Sequence, residues 1–149
     1  MLKLLLSTLL LSYAFFVNSE NVTTTVSKFT YKSCGDSTDL AQNIQIITDP
    51  QLPQTDYTLF LDYDLSKEVD GGTSNYKVNL NGIPMAPYSD DLCTEVSKSN
   101  ITCPIFAGHI ASQSQGNIPS GVSGKILLTN EWSNNDGERI LCLQFTIVI

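Results

Sequence analysis

The chain has one histidine, one tryptophan, two methionines, and eight lysines and arginines against fifteen aspartates and glutamates. Each shortage removes a class of function. With His109 as the sole histidine, a Ser-His-Asp set has one position for its base. No G-x-S-x-G elbow accompanies it; Gly121-Val122-Ser123-Gly124 lacks the spacing. The four cysteines contain no C-x2–4-C pair, so a zinc site is not supported. A formal charge of −7 repels nucleic acid and offers no basic patch to an anionic membrane. Any lipid contact must therefore be apolar. Beyond the first twenty residues no run approaches the ~18 apolar residues of a membrane span. No segment carries a helical period, and no internal repeat is present.

What is there begins with a leader. Lys3 supplies a positive start and residues 4–17 an apolar run. Val17-Asn18-Ser19 offers small residues around a cleavage point, so residues 1–19 read as a secretory signal peptide. Residues 20–149 then form one domain, long enough to bury roughly two-thirds of its unfolded surface. Losing Lys3 makes it one unit more negative. In a secreted chain, Cys34, Cys93, Cys103 and Cys142 imply two disulfides with three possible pairings. The favoured pairing is Cys34–Cys142, joining the opening strand to the closing one, with Cys93–Cys103 closing a short loop. Asn21-Val22-Thr23 and Asn100-Ile101-Thr102 are glycosylation acceptors, in keeping with that route.

The strand signals are strongest at the end. Two β-forming runs flank Asn135-Asp136-Gly137, and Asp-Gly supplies positive φ angles for a tight hairpin. In the closing run Leu141, Leu143, Phe145, Ile147 and Ile149 share one face. Ile140, Cys142, Gln144, Thr146 and Val148 share the other. Earlier, residues 26–33 read as a first strand and residues 40–48, with Ile44, Ile46 and Ile47, as a second. Pro50 and Pro53 interrupt the chain. Residues 55–65 alternate cleanly, with Tyr57, Leu59, Leu61, Tyr63 and Leu65 opposite Thr58, Phe60, Asp62 and Asp64. Residues 70–74 read as a loop, and Tyr76, Val78 and Leu80 mark another strand ending at Asn81-Gly82. Residues 101–111 are predicted as a strand and 113–120 as a polar loop. The sum is an all-β, immunoglobulin-like antiparallel sandwich of about seven strands.

Candidate chemistry is sparse. Asp62 and Asp64 share a face and could hold calcium or act as paired carboxylates, but a solvated face explains them as well. Asp90-Asp91 reads as a loop charge pair. His109 reads as an ordinary sheet residue.

Several pieces, in order, resemble the MD-2-related lipid-recognition family, which includes the Niemann-Pick type C2 proteins, and within it the phosphatidylglycerol/phosphatidylinositol transfer proteins. They are Tyr31-Lys32-Ser33-Cys34-Gly35, Asp91-Leu92-Cys93, Cys103-Pro104-Ile105 with Gly108, Ile118-Pro119-Ser120-Gly121, and residues 136–143 (DGERILCL). Some members carry an additional cysteine pair near the start, absent here. The resemblance implies a sandwich whose sheets part around an apolar cavity, without catalysis, metal or cofactor. It also implies transfer of phosphatidylglycerol and phosphatidylinositol, or of a sterol, by a monomer that touches membranes transiently. The expected lining is Phe60, Tyr63, Tyr76, Val78, Ile126, Leu128, Trp132, Leu143 and Phe145. The expected mouth is Ile83, Pro84, Met85, Ile118 and Pro119. A recognition module with a filled core is the alternative. The setting is the secretory pathway, ending outside the cell or in an endosomal or lysosomal lumen. In an acidic lumen, carboxylate protonation would speed transfer of anionic lipid near pH 5.

Overall fold

A computed structural model describes residues 28–49, 56–117, 121 and 123–149. The leader, Asn21, Ile118 and Pro119 lie outside the described residues. The strands are β1 (Lys28–Ser33), β2 (Ala41–Asp49), β3 (Asp56–Leu65), β4 (Gly72–Leu80), β5 (Ile83–Pro84), β6 (Tyr88–Asp91), β7 (Gly108–Asn117), β8 (Lys125–Asn134) and β9 (Arg139–Val148). One helix, α1 (Leu92–Ser97), stands between β6 and β7. The strands form two antiparallel sheets. The larger runs β1-β9-β8-β4-β5, with β6 also on β4, and the smaller runs β2-β3-β7. This is the expected antiparallel sandwich, with β5 and β6 as short additions to the longer strands.

Four local expectations need correction. The strand predicted at 101–111 starts only at Gly108, because residues 101–107 are tied elsewhere: Cys103 to Cys93, and Ile105 to Val69 by an isolated bridge. Residues 113–117, predicted as loop, belong to β7. That strand is polar because it is a sheet edge, and beyond Ile110 its inward positions are small: Ser112 faces Leu61, Ser114 faces Leu59 and Gly116 faces Tyr57. A side chain on Gly116 would collide with the Tyr57 ring. Asp90-Asp91 is no loop pair. Asp91 is the N-cap of α1, its carboxylate accepting the Thr94 N–H at 2.8 Å, while Leu92 and Val96 bury the helix's inner face. Finally, β4 already begins at Gly72, inside the predicted 70–74 loop. There φ is +147° and an added Cβ would lie 1.9 Å from the Ser133 carbonyl oxygen, so glycine is required where β4 meets β8.

The closing hairpin forms where expected, with different turn chemistry. Of its three turn residues only Gly137 has positive φ. The Asn134 carbonyl accepts the Gly137 N–H at 3.0 Å, and Asn134 Oδ1 accepts the Asp136 and Glu138 N–H groups. A bulge between Trp132 and Ser133 sends both Ile140 and Leu141 into the core, breaking the alternation there. Cys142, tied to Cys34, is buried as well, and from Leu143 onward the alternation holds: Leu143, Phe145 and Ile147 are buried.

The chain crosses between sheets three times at one end, at residues 34–40, 66–71 and 98–107. Each crossing is fastened. Cys34 bonds Cys142 with Cα atoms 5.0 Å apart, and Cys93 bonds Cys103 at 5.7 Å. Arg139 donates from Nε to the buried Asp39 and from Nη2 to Asp36, both at 2.7 Å. Lys67 bridges to Glu138. Leu65, Val69, Leu92, Ile105 and Leu141 fill the middle of this end. The opposite end has a single crossing, from β7 to β8.

Candidate functional site

Strand register fixes which side chains face the gap. From the large sheet these are Tyr76 and Val78 on β4, Ile126, Leu128, Asn130 and Trp132 on β8, and Leu143 and Phe145 on β9. From the small sheet they are Leu59, Leu61 and Tyr63 on β3. Eight of the nine expected lining residues therefore share the inner faces. Phe60 does not: it alternates with Leu59 and Leu61 and belongs to the outer face of β3, so its place in the lining is withdrawn.

Burial falls along the gap. Tyr63, Trp132, Leu141 and Leu143 are buried, whereas Leu59, Val78, Leu80, Ile126 and Leu128 are only partly buried, although all face the opposite sheet; on β9, Phe145 and Ile147 stay buried towards the open end. Apolar chains inside a closed sandwich would be fully covered. The core divides accordingly, with a small second cluster around Ile147, Ile126, Tyr57 and Phe29. At the open end Ile83 and Met85 are exposed by 70% and 55%. Pro84 is exposed beside them. Tyr63 and Trp132 meet edge to face across the gap, ring centroids 6.4 Å apart. Tyr63 Oη and Trp132 Nε1 are both buried, with no hydrogen-bond partner among the described residues. Burial pushes the Tyr63 phenol up to about 12.

A cavity of about 230 Å3 opens from the gap toward the β4/β7 edge, under α1. Leu59, Leu61, Val96, Ile101 and Trp132 form its apolar surface. Tyr76, Glu95, Asn130, Ser112, Ser114 and Gln115 are among its polar residues. Among the described residues this cavity is thus half polar, not the purely apolar hollow expected. Burial and the nearby Glu95 carboxylate raise the Tyr76 phenol further than Tyr63's. At the opposite edge, Phe29, Tyr31, Ile46, Ile47 and Thr48 line a shallower groove. Tyr31 closes it partly by accepting the Ile46 N–H at 3.2 Å.

The ML-domain family model matches residues 28–149. The chain belongs to the ML-domain family. Phosphatidylglycerol/phosphatidylinositol transfer proteins of Neurospora crassa and Aspergillus oryzae are each 26% identical to it, over 73% and 74% of this chain. The matched regions are 64% and 63% of those relatives, so this chain spans slightly under two-thirds of their length. Chicken MD-1 complexed with lipid IVa aligns over 80% of this chain and 88% of its own, with TM-score 0.61 and 17% identity. A Niemann-Pick type C2 protein from Japanese carpenter ant aligns over 78% and 96%, with TM-score 0.56 and 17% identity. Both likenesses place this ML domain in the same sandwich fold.

Outside the gap, this ML domain assembles little chemistry. Asp64 lies on the outer face of β3, where Asn43 Nδ2 donates to it at 2.8 Å and His109 Nδ1 pairs with it at 3.0 Å. Those hydrogen bonds hold its carboxyl below the ordinary value. Asp62 shares that outer face, and no metal-binding cluster occurs among the described residues. Sequence reasoning missed Glu95, Ser112, Ser114, Gln115 and Asn130. The available signal for Glu95 was the Asp91 cap with Leu92 and Val96 four apart. Ser112 and Ser114 sit in a strand with too few apolar residues to announce its face.

Proposed function

We propose that this ML domain is a lipid carrier that takes a phospholipid from one membrane and releases it to another, with phosphatidylglycerol and phosphatidylinositol as leading cargo. The observation carrying this reading is the half-buried inner face at the open end. Leu59, Val78, Leu80, Ile126 and Leu128 face the opposite sheet and are only partly buried, so apolar surface remains for a ligand to cover. An acyl chain burying roughly 300 Å2 there gains about 7 kcal/mol. The names of the two fungal relatives point to the same cargo. No bond is made or broken in this work, so neither catalytic group nor cofactor enters it.

Tyr63, Tyr76, Val78, Ile126, Leu128, Trp132, Leu143 and Phe145 are the proposed lining. Ile83, Pro84 and Met85, with Ile118 and Pro119, form the proposed mouth. Two large apolar residues exposed side by side suit brief insertion into a bilayer surface. The carrier works as a monomer in the lumen of the secretory pathway or outside the cell, after loss of residues 1–19. Glycosylation at Asn21 and at Asn100, which is exposed, belongs to the same reading. Sterol transfer is the second reading: the rigid apolar pair Tyr63 and Trp132 suits a fused-ring ligand, and Tyr63 Oη could bond its hydroxyl.

Two measurements test this. Mass spectrometry of an organic extract of the purified protein should find near-stoichiometric lipid. Vesicle-to-vesicle transfer of labelled phospholipid and sterol should then rank the cargo. Absence of bound lipid together with no transfer of either would leave the recognition-module alternative standing.

A further inference from the structure

The cavity under α1 differs from the gap it joins. We propose that it is a polyol site, holding the hydroxyl-rich head of the cargo, glycerol or inositol, while the acyl chains lie between the sheets. This rests on the carrier reading and adds where head-group choice is made.

Size comes first. The cavity measures about 230 Å3. Sites enclosing a whole drug-sized ligand run to ~300–1,000 Å3. Falling below that range, the cavity suits a small polyol better than two acyl chains.

Wall chemistry comes second. A polyol offers apolar C–H faces and hydroxyls that both donate and accept. Trp132 and Leu61 provide the apolar side, and Glu95, Ser114 and Asn130 the polar one. Two of the polar groups are fixed in role. Ser74 Oγ donates to Asn130 Oδ1 at 3.0 Å, leaving the amide NH2 as donor. Ser112 Oγ spends its proton on the Leu61 carbonyl at 2.9 Å and is left as an acceptor.

Charge comes third. Glu95 and Lys98 are paired at 2.7 Å, so the cavity has no net formal charge. A bare phosphate would find one lysine, already engaged, beside a carboxylate. Hydroxyls, not the phosphate, are what this wall can distinguish.

The test compares transfer of phosphatidylinositol, phosphatidylglycerol, phosphatidylcholine and phosphatidic acid with identical acyl chains, using the glycosylated full-length secreted protein. Wild type should move the inositol and glycerol heads at least about tenfold faster than the other two, the scale of one well-made hydrogen bond. Ser114→Leu, which fills the cavity without removing a buried hydrogen bond, should bring that ratio close to one by slowing the inositol and glycerol heads most. Glu95→Gln, which keeps the shape, should lower the ratio part-way. Equal wild-type rates for all four heads, or a Ser114→Leu variant that slows all four alike, overturns the proposal and leaves the carrier reading standing. No transfer of any head and no co-purified lipid removes the carrier reading itself. A free polyol as the source is tested separately, by titrating myo-inositol and following the fluorescence of the single tryptophan, Trp132. Saturation in wild type and not in Ser114→Leu supports the polyol site with a soluble ligand. A flat titration together with equal transfer rates overturns it in both forms.

Discussion

The two ends of the sandwich are built from similar residues and behave differently. At one end Leu65, Val69, Leu92, Ile105 and Leu141 are almost wholly buried. At the other Leu80, Ile126 and Leu128 have the same orientation and are half-buried. Hydrophobicity does not separate them; connectivity does. Three of the four inter-sheet crossings lie at the closed end, fastened by disulfides and by the Arg139–Asp39–Asp36 and Lys67–Glu138 contacts. Neither disulfide pins the open end. A sandwich sewn along one end can splay at the other, which is the geometry a carrier needs.

The largest test of this contrast is to cut the stitching. Replacing Cys34 and Cys142 by alanine opens a loop spanning a separation of 108 residues. On the chain-entropy model this costs about 5 kcal/mol. Ile83→Ser at the exposed mouth should change stability by less than about 0.5 kcal/mol. Urea unfolding of delipidated protein measures both, and similar losses at the two sites would break the contrast. Next, Leu141→Ala should cost roughly 2–5 kcal/mol, because it leaves a cavity in a filled core. Leu80→Ala should cost about 1 kcal/mol, since its side chain is already partly exposed. If Leu80→Ala is the more damaging, the open end is packed and the gap is not a working cavity.

A smaller effect concerns the two orphaned donors where the closed and open halves meet. Tyr63→Phe removes a buried hydroxyl with no partner, and should stabilise lipid-free protein by about 1 kcal/mol. If a cargo oxygen uses that hydroxyl, the same variant should bind lipid more weakly. Thermal unfolding with and without lipid separates the two results. A loss of stability in the lipid-free protein would mean that Tyr63 Oη is already satisfied.

Most of the architecture was legible because strands with one wet and one dry face announce themselves. The alternation in 56–65 and 141–148 fixed both inner faces. What the sequence hid were places where pattern and environment part company. β7 has inward serines and a glycine, since it lines a polar cavity and must clear Tyr57, so no apolar alternation marks it. The bulge at Trp132 puts adjacent residues Ile140 and Leu141 on the dry side, which period-2 reasoning cannot anticipate. Phe60 sits among apolar neighbours of both parities, so only the register of β3 shows that it faces outward. The polar wall of the cavity combines residues far apart in the chain, Glu95, Ser114 and Asn130, and tertiary structure alone brings them together.

The smallest expected effect is that of mild acid. An acidic chain suggests proton uptake near pH 5 and faster handling of anionic lipid. Yet several carboxylates that the fold engages are held below their ordinary values. Asp36 is lowered by hydrogen bonds from Thr38 and by Arg139, Glu138 by Lys67 and Asn134, and Asp91 by the N–H of Thr94. Depressed pKa values mean that their stabilising contribution is complete above the unfolded values, 3.8 for Asp and 4.5 for Glu, and is lost as pH falls through the folded ones. Because these groups are exposed, salt weakens the effect further. Transfer rates at pH 7 and pH 5 should therefore agree within about twofold, with no contribution from these three groups. Below about pH 4 the closed end should loosen first. Amide exchange in residues 34–40 and 134–139 should then accelerate before that of β4 and β8. Exchange rising first around β4 and β8 would show that the open end, not these ion pairs, responds first to acid.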